Sequence, residues 1–429
     1  MKSIFHSILF SMLTLSCSSP GKTDQILVVN QPAEFESQEA IWLIWPSTDH
    51  KEGESVEQVT LAIVEALIGN IDMVITCKDK ELLARAKDTL KKYFGELPKL
   101  KLLELPSIEI WTRDMGPIFV ETNKNTLAIA DFNFNSWGYS DTLNIDTKTE
   151  ELFDERVAKR FNLPVLSSTM ISEGGNREVN GRGTLITTEA VEMDRNPHMT
   201  KKEMEREYKR LLGVKKIIWL KQGLVEDDHT FLGPITTVDG DKAYTVVTTN
   251  GHVDEFARFV NDSTILMAKV DSVEFNDPIA WENHKRMEEN YKILSGATDQ
   301  DGKPFTIIRM PLPGTIFSSM NPGDYVYDYI KTLDYSNGST FPNGEPIKVM
   351  AALSYLNFII TNKVVIGQRC WREGMSNELK LKDENAAQIL QSVFPDRKII
   401  MIDALAVNLG GGGIHCISMH QPLFSTNKR

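Results

Sequence analysis

Short apolar stretches alternate along this chain with longer segments in which apolar residues recur every three or four positions. The short runs predict strands, as at 71–77, and the three-to-four spacing predicts helices, as at 80–94. The same patterns predict strands at 99–105, 126–134, 164–171, 215–220, 242–249, 263–270, 304–310, 348–353, 363–368 and 398–402, and helices at about 148–161, 201–213 and 383–393.

The predicted strands outnumber the helices and come in pairs between them. A doubly wound sheet of simple βαβ units fits this order poorly, because such a sheet alternates one strand with one helix. Asn180-Gly181 predicts a β-hairpin within "REVNGRGTLITTE". No low-complexity linker divides the chain, so we predict one α/β domain at residues 27–425.

Composition narrows the class of protein. The 429 residues are 41% hydrophobic and 25% charged, which is typical of a globular protein with a large core. The formal net charge of −12, without a long basic run, argues against a nucleic-acid partner.

The N-terminus differs from the rest of the chain. The apolar stretch "IFHSILFSMLTLS" is too short to span a bilayer but fits the core of a secretory signal. We therefore predict a signal peptide or lipoprotein signal at 1–17 and a short polar linker at 18–26. Cys17 lies where a bacterial lipoprotein would be cleaved and acylated, although Thr14 occupies a position that is usually aliphatic. The protein is thus expected to be exported, either to the periplasm or anchored to the envelope by a lipid on Cys17.

The cysteines show no metal-binding pattern. Cys77 ends an apolar strand, Cys370 lies in a predicted loop, and no Cys-x-x-Cys or Cys/His spacing occurs. Cys416 is different, because the run "GGGG" precedes it in "GGGGIHCISMHQP". Glycines allow close approaches that a Cβ forbids, so this loop either closes a turn or presents a reactive sulfur.

Three further stretches place polar residues where an apolar strand pattern breaks, next to glycine. Each residue has an ordinary interpretation on its own, in a turn, at the surface or in the core. Together they would suit strand-end loops that line one pocket. The residues are Trp111, Arg113 and Asp114 in "EIWTRDMGPIFV", Glu173 in "ISEGGNREVNGRGT", and His252 and Asp254 in "TTNGHVDEFARFV". In an extended segment, His252 and Asp254 would point the same way.

A cysteine, a histidine and several carboxylates suit nucleophilic attack on a planar, positively charged carbon. The thiolate is the attacking form, and a bound cation would stabilise it. Two carboxylates can hydrogen-bond to a guanidinium. The histidine would protonate the leaving nitrogen and later take a proton from water.

The chain resembles the agmatine deiminases and the bacterial, Porphyromonas-type peptidyl-arginine deiminases of the guanidine-modifying superfamily. The stretches that carry the resemblance occur in the family's order along nearly the whole mature chain. They are "QPAEFESQEAIWLIWP", "WTRDMGPIFV", "FNSWG", "EGGN", "DRNP", "GHVDEFARF", "SYLNF" and "GGGGIHCISMHQP". The resemblance implies a five-bladed α/β propeller of ββαβ-type modules around a central active-site pocket.

The resemblance also implies roles for individual residues. Cys416 would be the nucleophile, His252 the acid and base, and Glu173 its partner. Asp114 and Asp254 would bind the guanidinium. The remaining substrate-binding positions would be Trp111, Arg113, Asn357 and Gly413. No metal or organic cofactor is implied, and the partner is a small guanidine such as agmatine or an arginine-like molecule. The resemblance leaves a homo-oligomer open.

The implied reaction is hydrolytic deimination through a covalent amidino-thioether. Agmatine, which would give N-carbamoylputrescine and ammonia on the way to putrescine and other polyamines, is the first substrate to consider. The alternatives are deimination of peptidyl-arginine, amidino transfer to an amine, and an exported guanidine-binding protein without turnover.

Departures from the family pattern bear on the substrate. The stretch "STDHKEGESVEQ" replaces one that contains Asp-Asn-Trp-Arg in agmatine deiminases, residues 225–250 form a long connection, and Ser418-Met419-His420 replace "TQQ". The peptidyl-arginine branch holds a peptide carboxylate with arginines after the "FN" strand. Residues 131–155 contain no arginine.

Overall fold

The computed structural model describes residues 25–424. The predicted signal at 1–17, the lipidation site Cys17 and most of the predicted linker lie outside the described residues. No helix within the described range is long and apolar enough to cross a membrane.

Five of the six sheets formed by residues 25–424 share one pairing pattern. In each, a strand runs antiparallel to a second strand, and this second strand pairs in parallel with the strand that follows it in the chain. These sheets contain Val28–Asn30, Ile118–Thr122, Leu127–Asn133 and Val165–Ile171; Glu178–Val179, Thr184–Thr188 and Lys216–Leu220; Ala257–Phe259, Thr264–Lys269 and Thr306–Pro311; Ile359–Ile360, Val364–Arg369 and Lys398–Asp403; and Ser418–Pro422, Gln38–Ile44, Asp72–Cys77 and Leu100–Glu104. In the sixth sheet the parallel strands, Lys242–Thr245 and Ile347–Met350, are not consecutive in the chain.

Helices make the crossovers between the parallel strands, as such connections require. They are Val56–Leu67, Ile145–Glu151 with Phe153–Phe161, Glu189–Arg195 with Lys201–Leu212, Pro278–Gly296, and Asn377–Val393, while Lys80–Phe94 connects the last two strands of its sheet. The remaining α-helices are short: Thr112–Met115, Tyr325–Ile330 and Leu405–Asn408. Single 3₁₀ turns lie at Ser136–Gly138, Gly174–Asn176, Val225–Asp227, Thr230–Leu232, Val253–Glu255 and Ser272–Glu274.

The two ends of the described chain meet in one sheet. Ser418–Pro422 pairs antiparallel with Gln38–Ile44, so the loop that carries Cys416 lies against the N-terminal sheet. The sixth sheet contains Ile235–Thr236, Lys242–Thr245, Phe317–Met320 and Ile347–Met350. Half of its strands come from the long connection at 225–250.

Most predicted elements are confirmed, with local differences. The predicted helix at 201–213 is observed as Lys201–Leu212, where a Thr200/Glu203 capping box begins it and Gly213, at a φ of +67°, follows it. The predicted hairpin joins Glu178–Val179 to Thr184–Thr188. The prediction of a single helix at 148–161 is wrong, because the chain breaks at Leu152 into two helices.

Candidate active site

Each of the five repeated sheets is preceded by a predicted site residue. A few residues separate Asp114, Glu173, Asp254, Asn357 and Cys416 from the first, antiparallel strand of the sheet that follows it. Asp114, Glu173 and Asp254 thus lie next to strands, as the sequence predicts, although Asp114 lies in the short helix Thr112–Met115 and Asp254 in the 3₁₀ turn Val253–Glu255. The common position in the repeat gives a structural reason why residues so distant in sequence converge.

The glycine run allows close packing around Cys416. A Cβ on Gly412 would lie 2.9 Å from the Cys416 Sγ and 3.0 Å from the ring of Trp111. A Cβ on Gly413 would lie 2.3 Å from the Asn357 Oδ1. The absence of side chains at Gly412 and Gly413 thus lets the backbone pass close to the Cys416 sulfur, Trp111 and Asn357.

The buried Cys416 sulfur lies among hydrogen-bond donors and carboxylates. The Asn357 Nδ2 donates to Sγ at 3.1 Å and the Gly413 N–H at 3.4 Å, while carboxylate oxygens of Asp254 and Glu255 lie 3.8 Å away. Burial and these carboxylates raise the pKa of the Cys416 thiol well above its ordinary value. The free protein therefore holds a thiol, and a bound cation is needed to favour the thiolate.

Asp114 and Asp254 face the same small space. Asp114 accepts the Trp137 Nε1–H and the Gly175 N–H, both at 2.8 Å. Asp254 accepts from His415 Nδ1 at 2.6 Å through Oδ2, while its Oδ1 has no hydrogen-bond partner among residues 25–424. A Cβ on Gly175 would lie 2.9 Å from Asp114 Oδ1 and 3.3 Å from Asp254 Oδ1, so both oxygens converge there.

His252 lies between two carboxylates without a close hydrogen bond to either. Its Nδ1 is 3.7 Å from Asp114 Oδ1 and its Nε2 is 3.6 Å from Glu173 Oε2. Neither ring nitrogen, nor Glu173 Oε2, has a hydrogen-bond partner within the described part of the chain. Burial opposes a charge on the ring, but Asp114, Glu173 and Asp254 outweigh it and raise the pKa of His252 to about 9.

Two residues that the sequence analysis did not assign hold this histidine in place. Arg195 donates to Glu173 Oε1 at 2.7 Å and to the Thr249 carbonyl at 2.7 Å. The Asp227 carboxylate accepts the backbone N–H of His252 at 2.9 Å. Arg195 lies in the motif "DRNP", from which it could have been predicted as a site residue. Asp227 lies in the 225–250 connection, where no sequence motif indicates a site residue.

The structure brings together eight of the predicted positions: Trp111, Asp114, Glu173, His252, Asp254, Asn357, Gly413 and Cys416. Arg113 points elsewhere: its guanidinium contacts Glu34 Oε2 at 3.3 Å and His420 Nδ1 at 3.4 Å. The expectation of an extended segment at His252 and Asp254 is wrong, because Val253–Glu255 is a 3₁₀ turn, although both side chains still reach the cluster.

A second ionic cluster lies directly behind Asp254, through His415. The His415 Nε2 pairs with Glu34 Oε2 at 2.7 Å. The same oxygen accepts from Arg113 at 3.3 Å and from Arg258 at 3.0 Å. None of Glu34, His415 and Arg258 was predicted as a site residue, although all three lie within motifs that carry the resemblance.

One group among the described residues could also hold a metal ion. The donor atoms of Asp254, Glu255 and Cys416 all lie within 4.8 Å of one another. All three residues are buried, and Asp254 also faces the space beside Gly175. The site is thus built for a cation.

Comparisons with known proteins agree with this geometry. The family model described as Porphyromonas-type peptidyl-arginine deiminase matches residues 30–422. The agmatine deiminase of Medicago truncatula is 30% identical over 411 residues, covering 92% of this chain and 96% of the relative. That of Pseudomonas aeruginosa (strain LESB58) is 29% identical over 415 residues, covering 94% and 98%.

A solved structure of the agmatine deiminase of Enterococcus faecalis has a TM-score of 0.69 at 23% identity, covering 92% of this chain and 96% of that one. This likeness shows a shared mixed α/β fold. The match of the family model over residues 30–422, with the relative that is 30% identical, places the chain in the family of Porphyromonas-type peptidyl-arginine deiminases.

Proposed function

We propose that this protein is a hydrolase of linear amidines that deiminates a small guanidine, in the first place agmatine to N-carbamoylputrescine and ammonia. One observation carries the proposal: buried, unpartnered atoms of Asp254, His252 and Glu173 converge beside the Cys416 sulfur. A guanidinium is a planar cation with N–H donors on its edges, which suits the carboxylate oxygens among these atoms, while the protonated His252 can donate to the leaving nitrogen. The agmatine deiminases among the relatives support the choice of substrate.

In the first half of the reaction, the guanidinium lies between Asp114 and Asp254. Its charge offsets that of the carboxylates and favours the thiolate, and the thiol proton passes to solvent. The sulfur attacks the guanidinium carbon and forms an S–C bond, while the electrons of a C–N double bond move to nitrogen. His252 donates a proton to the departing nitrogen, the C–N bond breaks, and ammonia leaves an amidino-thioether.

In the second half, water attacks the same carbon. His252, now neutral, takes a proton from the water as the C–O bond forms. The S–C bond then breaks, its electrons return to Cys416 as the thiolate, the remaining hydroxyl proton passes to solvent as the C=O bond forms, and the ureido product leaves. Glu173, fixed by Arg195, keeps the imidazole oriented through both halves.

A second candidate, deimination of peptidyl-arginine, is favoured by the description of the matching family. The two functions make opposite demands beyond the guanidinium, because agmatine ends in an ammonium and a C-terminal peptide in a carboxylate. Residues 131–155 contain no arginine for a carboxylate, which supports agmatine.

Turnover assays test this choice directly. The protein would be incubated with agmatine, free arginine and a peptide with a C-terminal arginine, and ammonia and ureido groups would be measured. Agmatine is expected to react fastest. Faster turnover of the peptide would favour the second candidate, and no product from any guanidine would overturn the enzymatic function.

The finer fold and the location are proposals as well. The shared pairing of five sheets supports a five-bladed α/β propeller formed by one catalytic domain at 27–425. The apolar N-terminal stretch supports export through the signal at 1–17, with Cys17 as a lipid anchor to the envelope or a soluble periplasmic form as the alternative. Fractionation and mass analysis of the mature N-terminus would test export and acylation, and light scattering would test for a homo-oligomer.

A further inference from the structure

A cavity of about 130 Å³ adjoins the catalytic cluster on the side of two tryptophans. Trp111 and Trp137 line this cavity together with Gly410. The indole N–H of Trp137 bonds to Asp114, and the ring of Trp111 lies beside Gly412 in the cysteine loop. The cavity therefore shares Trp111 and Trp137 with the catalytic cluster, on a side into which the tail of a guanidine bound at Asp114 can extend.

The lining of the cavity also contains acidic residues. Glu109, Asp146 and Glu150 line the cavity, and no lysine or arginine does so within the described part of the chain. Tyr325, another lining residue, donates its hydroxyl proton to the Glu109 carboxylate and orients it. A cavity with aromatic and carboxylate walls suits an organic cation with an apolar chain.

Glu150 is unusual among these acidic residues. Glu150 is 3% exposed. Among residues 25–424, its carboxyl group accepts one hydrogen bond, from the backbone N–H of Glu109 at 3.1 Å. The neighbouring side-chain charges come from Glu109 and Asp146, both negative, and with burial they raise the pKa of Glu150 well above its ordinary value. A buried carboxyl without a cationic partner stays protonated, and a ligand that supplies a positive charge would favour its ionised form.

We propose that Glu150 and Glu109 form a subsite for the distal ammonium of a substrate that carries two cations on one alkyl chain. The inference rests on the proposed function, because it requires the guanidinium to lie at Asp114 and Asp254. The subsite selects alkylguanidines with a terminal ammonium, and it disfavours a terminal carboxylate by repulsion. It thus assigns substrate choice to residues that take no part in the chemistry.

The test compares agmatine with pentylguanidine, in which a methyl group replaces the ammonium. The native protein is expected to have the higher kcat/KM for agmatine. Glu150→Gln should lower kcat/KM for agmatine about tenfold or more, mainly through KM, because a hydrogen bond to a charged group is lost. Turnover of pentylguanidine should stay unchanged, which also shows that the variant is folded.

Two further variants make the comparison specific. Glu109→Gln should reduce the preference for agmatine in the same direction. Glu104→Gln removes one negative charge from an exposed position outside the cavity and should leave the preference unchanged. Equal loss of both substrates in the Glu150 and Glu109 variants, or no change in their ratio, would overturn the subsite.

A binding measurement separates this inference from the proposed function. Calorimetry on Cys416→Ala compares the affinities for agmatine and pentylguanidine without any turnover. Tighter binding of agmatine that disappears in Cys416→Ala/Glu150→Gln supports the subsite even if the native protein hydrolyses neither compound. Equal affinities of the two ligands for Cys416→Ala would contradict it.

Discussion

Two buried ionic clusters meet at Asp254 and differ in how their polar atoms are partnered. In the rear cluster, defined as Glu34, Arg113, Arg258 and His415, the carboxylate is fully partnered. Its Oε1 accepts the backbone N–H of Ile360, and its Oε2 accepts from the other three members. In the front cluster, defined as Asp114, Glu173, His252 and Asp254, four atoms lack any hydrogen-bond partner among the described residues.

This difference separates a structural cluster from a binding site. A buried polar atom without a hydrogen-bond partner costs about 1–3 kcal/mol of stability. Several such atoms in one place therefore indicate a function, such as ligand binding or catalysis. In the rear cluster, Arg258 Nε is the one polar side-chain atom without a hydrogen bond among the described residues, and it forms an ion pair with Glu178 instead. The rear cluster therefore needs no ligand and can stabilise the protein as it stands. In the front cluster, Asp254 Oδ1 and Glu173 Oε2 are acceptors without a donor among the described residues, and a cation with several N–H groups can supply donors there.

The largest expected effect comes from the sulfur of the front cluster. Cys416→Ser should lower kcat by about four orders of magnitude or more, because the hydroxyl is a far weaker nucleophile under these conditions. Its thermal midpoint should stay close to that of the native protein, since the change conserves size. Ammonia release and calorimetric unfolding measure the two quantities, and substantial activity in this variant would remove Cys416 as the nucleophile.

His252→Gln should have the next largest effect, a loss of about 10²- to 10⁴-fold in kcat, as is typical for a general acid and base. Binding of agmatine should persist, because Asp114 and Asp254 remain. Single-turnover rates and calorimetric titration would distinguish the two effects. Equal losses in binding and catalysis would place His252 in substrate binding instead.

The pH dependence follows from the same residue. The imidazolium form donates the first proton, and the pKa of His252 in the free protein is raised to about 9. As the pH rises through this value the donor is lost, so kcat/KM for agmatine should fall above about pH 9. An alkaline fall that persists unchanged in the residual activity of His252→Gln would assign it to another group.

A change in the rear cluster should affect stability first. Glu34→Gln leaves the guanidinium groups of Arg113 and Arg258 buried beside a neutral amide, and breaking such a buried pair costs about 3–5 kcal/mol. Urea unfolding measures this loss. Activity of the folded fraction should change much less than in the His252 variant. A larger loss of activity in Glu34→Gln than in His252→Gln would show that the rear cluster also takes part in catalysis.

Glu34 should also make the free energy of unfolding depend on pH in the acid range. Burial opposes the charge on Glu34, but His415, Arg258 and Arg113 outweigh it and hold the pKa of its carboxyl well below the ordinary value. Its contribution to the free energy of unfolding is therefore present above the ordinary carboxyl pKa, near 4.3, and is lost as the pH falls through the lowered value. Glu34→Gln should remove this part of the acid dependence.

The residues of the candidate active site were easier to predict from sequence than the residues that hold them in position. Cys416, His252 and the acids occur in short motifs next to glycine, where chemistry and resemblance both mark them. Asp227 and Glu34 act through a backbone N–H or through ion partners at long sequence separation, and no local pattern shows such a role.

The helices that the hydrophobic pattern missed have a physical explanation. In Val56–Leu67 eight of the twelve residues are buried, including Thr60, so the buried positions extend around most of the helix and no single apolar face shows the helical period. In Pro278–Gly296 the buried stripe contains Asn283 and Asn290, which accept the N–H groups of Val225 and Lys221. Because polar residues occupy part of its buried side, this helix does not show the apolar spacing that predicts a helix.

The smallest effect that we predict concerns the residue that orients Asp114. Trp137 has a φ of +55°, a left-handed conformation that bulky residues rarely adopt, and in this geometry its Nε1–H reaches Asp114 Oδ2 at 2.8 Å. Trp137→Phe keeps an aromatic ring but removes this donor. We expect about a tenfold loss of kcat/KM for agmatine, the size of one hydrogen bond to a charged group.

The pH profile decides whether that loss comes from Asp114. Burial raises the pKa of Asp114, and the Trp137 N–H is one of the contacts that pull it down. Without this donor the pKa rises further, so the guanidinium-binding carboxylate is lost at a higher pH as the solution is acidified. The acid side of the kcat/KM profile should therefore move to higher pH in Trp137→Phe. Trp42→Phe is the matched control, because it removes an indole donor that bonds to Gln421 at 2.9 Å instead. An unmoved acid limb in Trp137→Phe, or an equal shift in the control, would show that the front cluster does not depend on this bond.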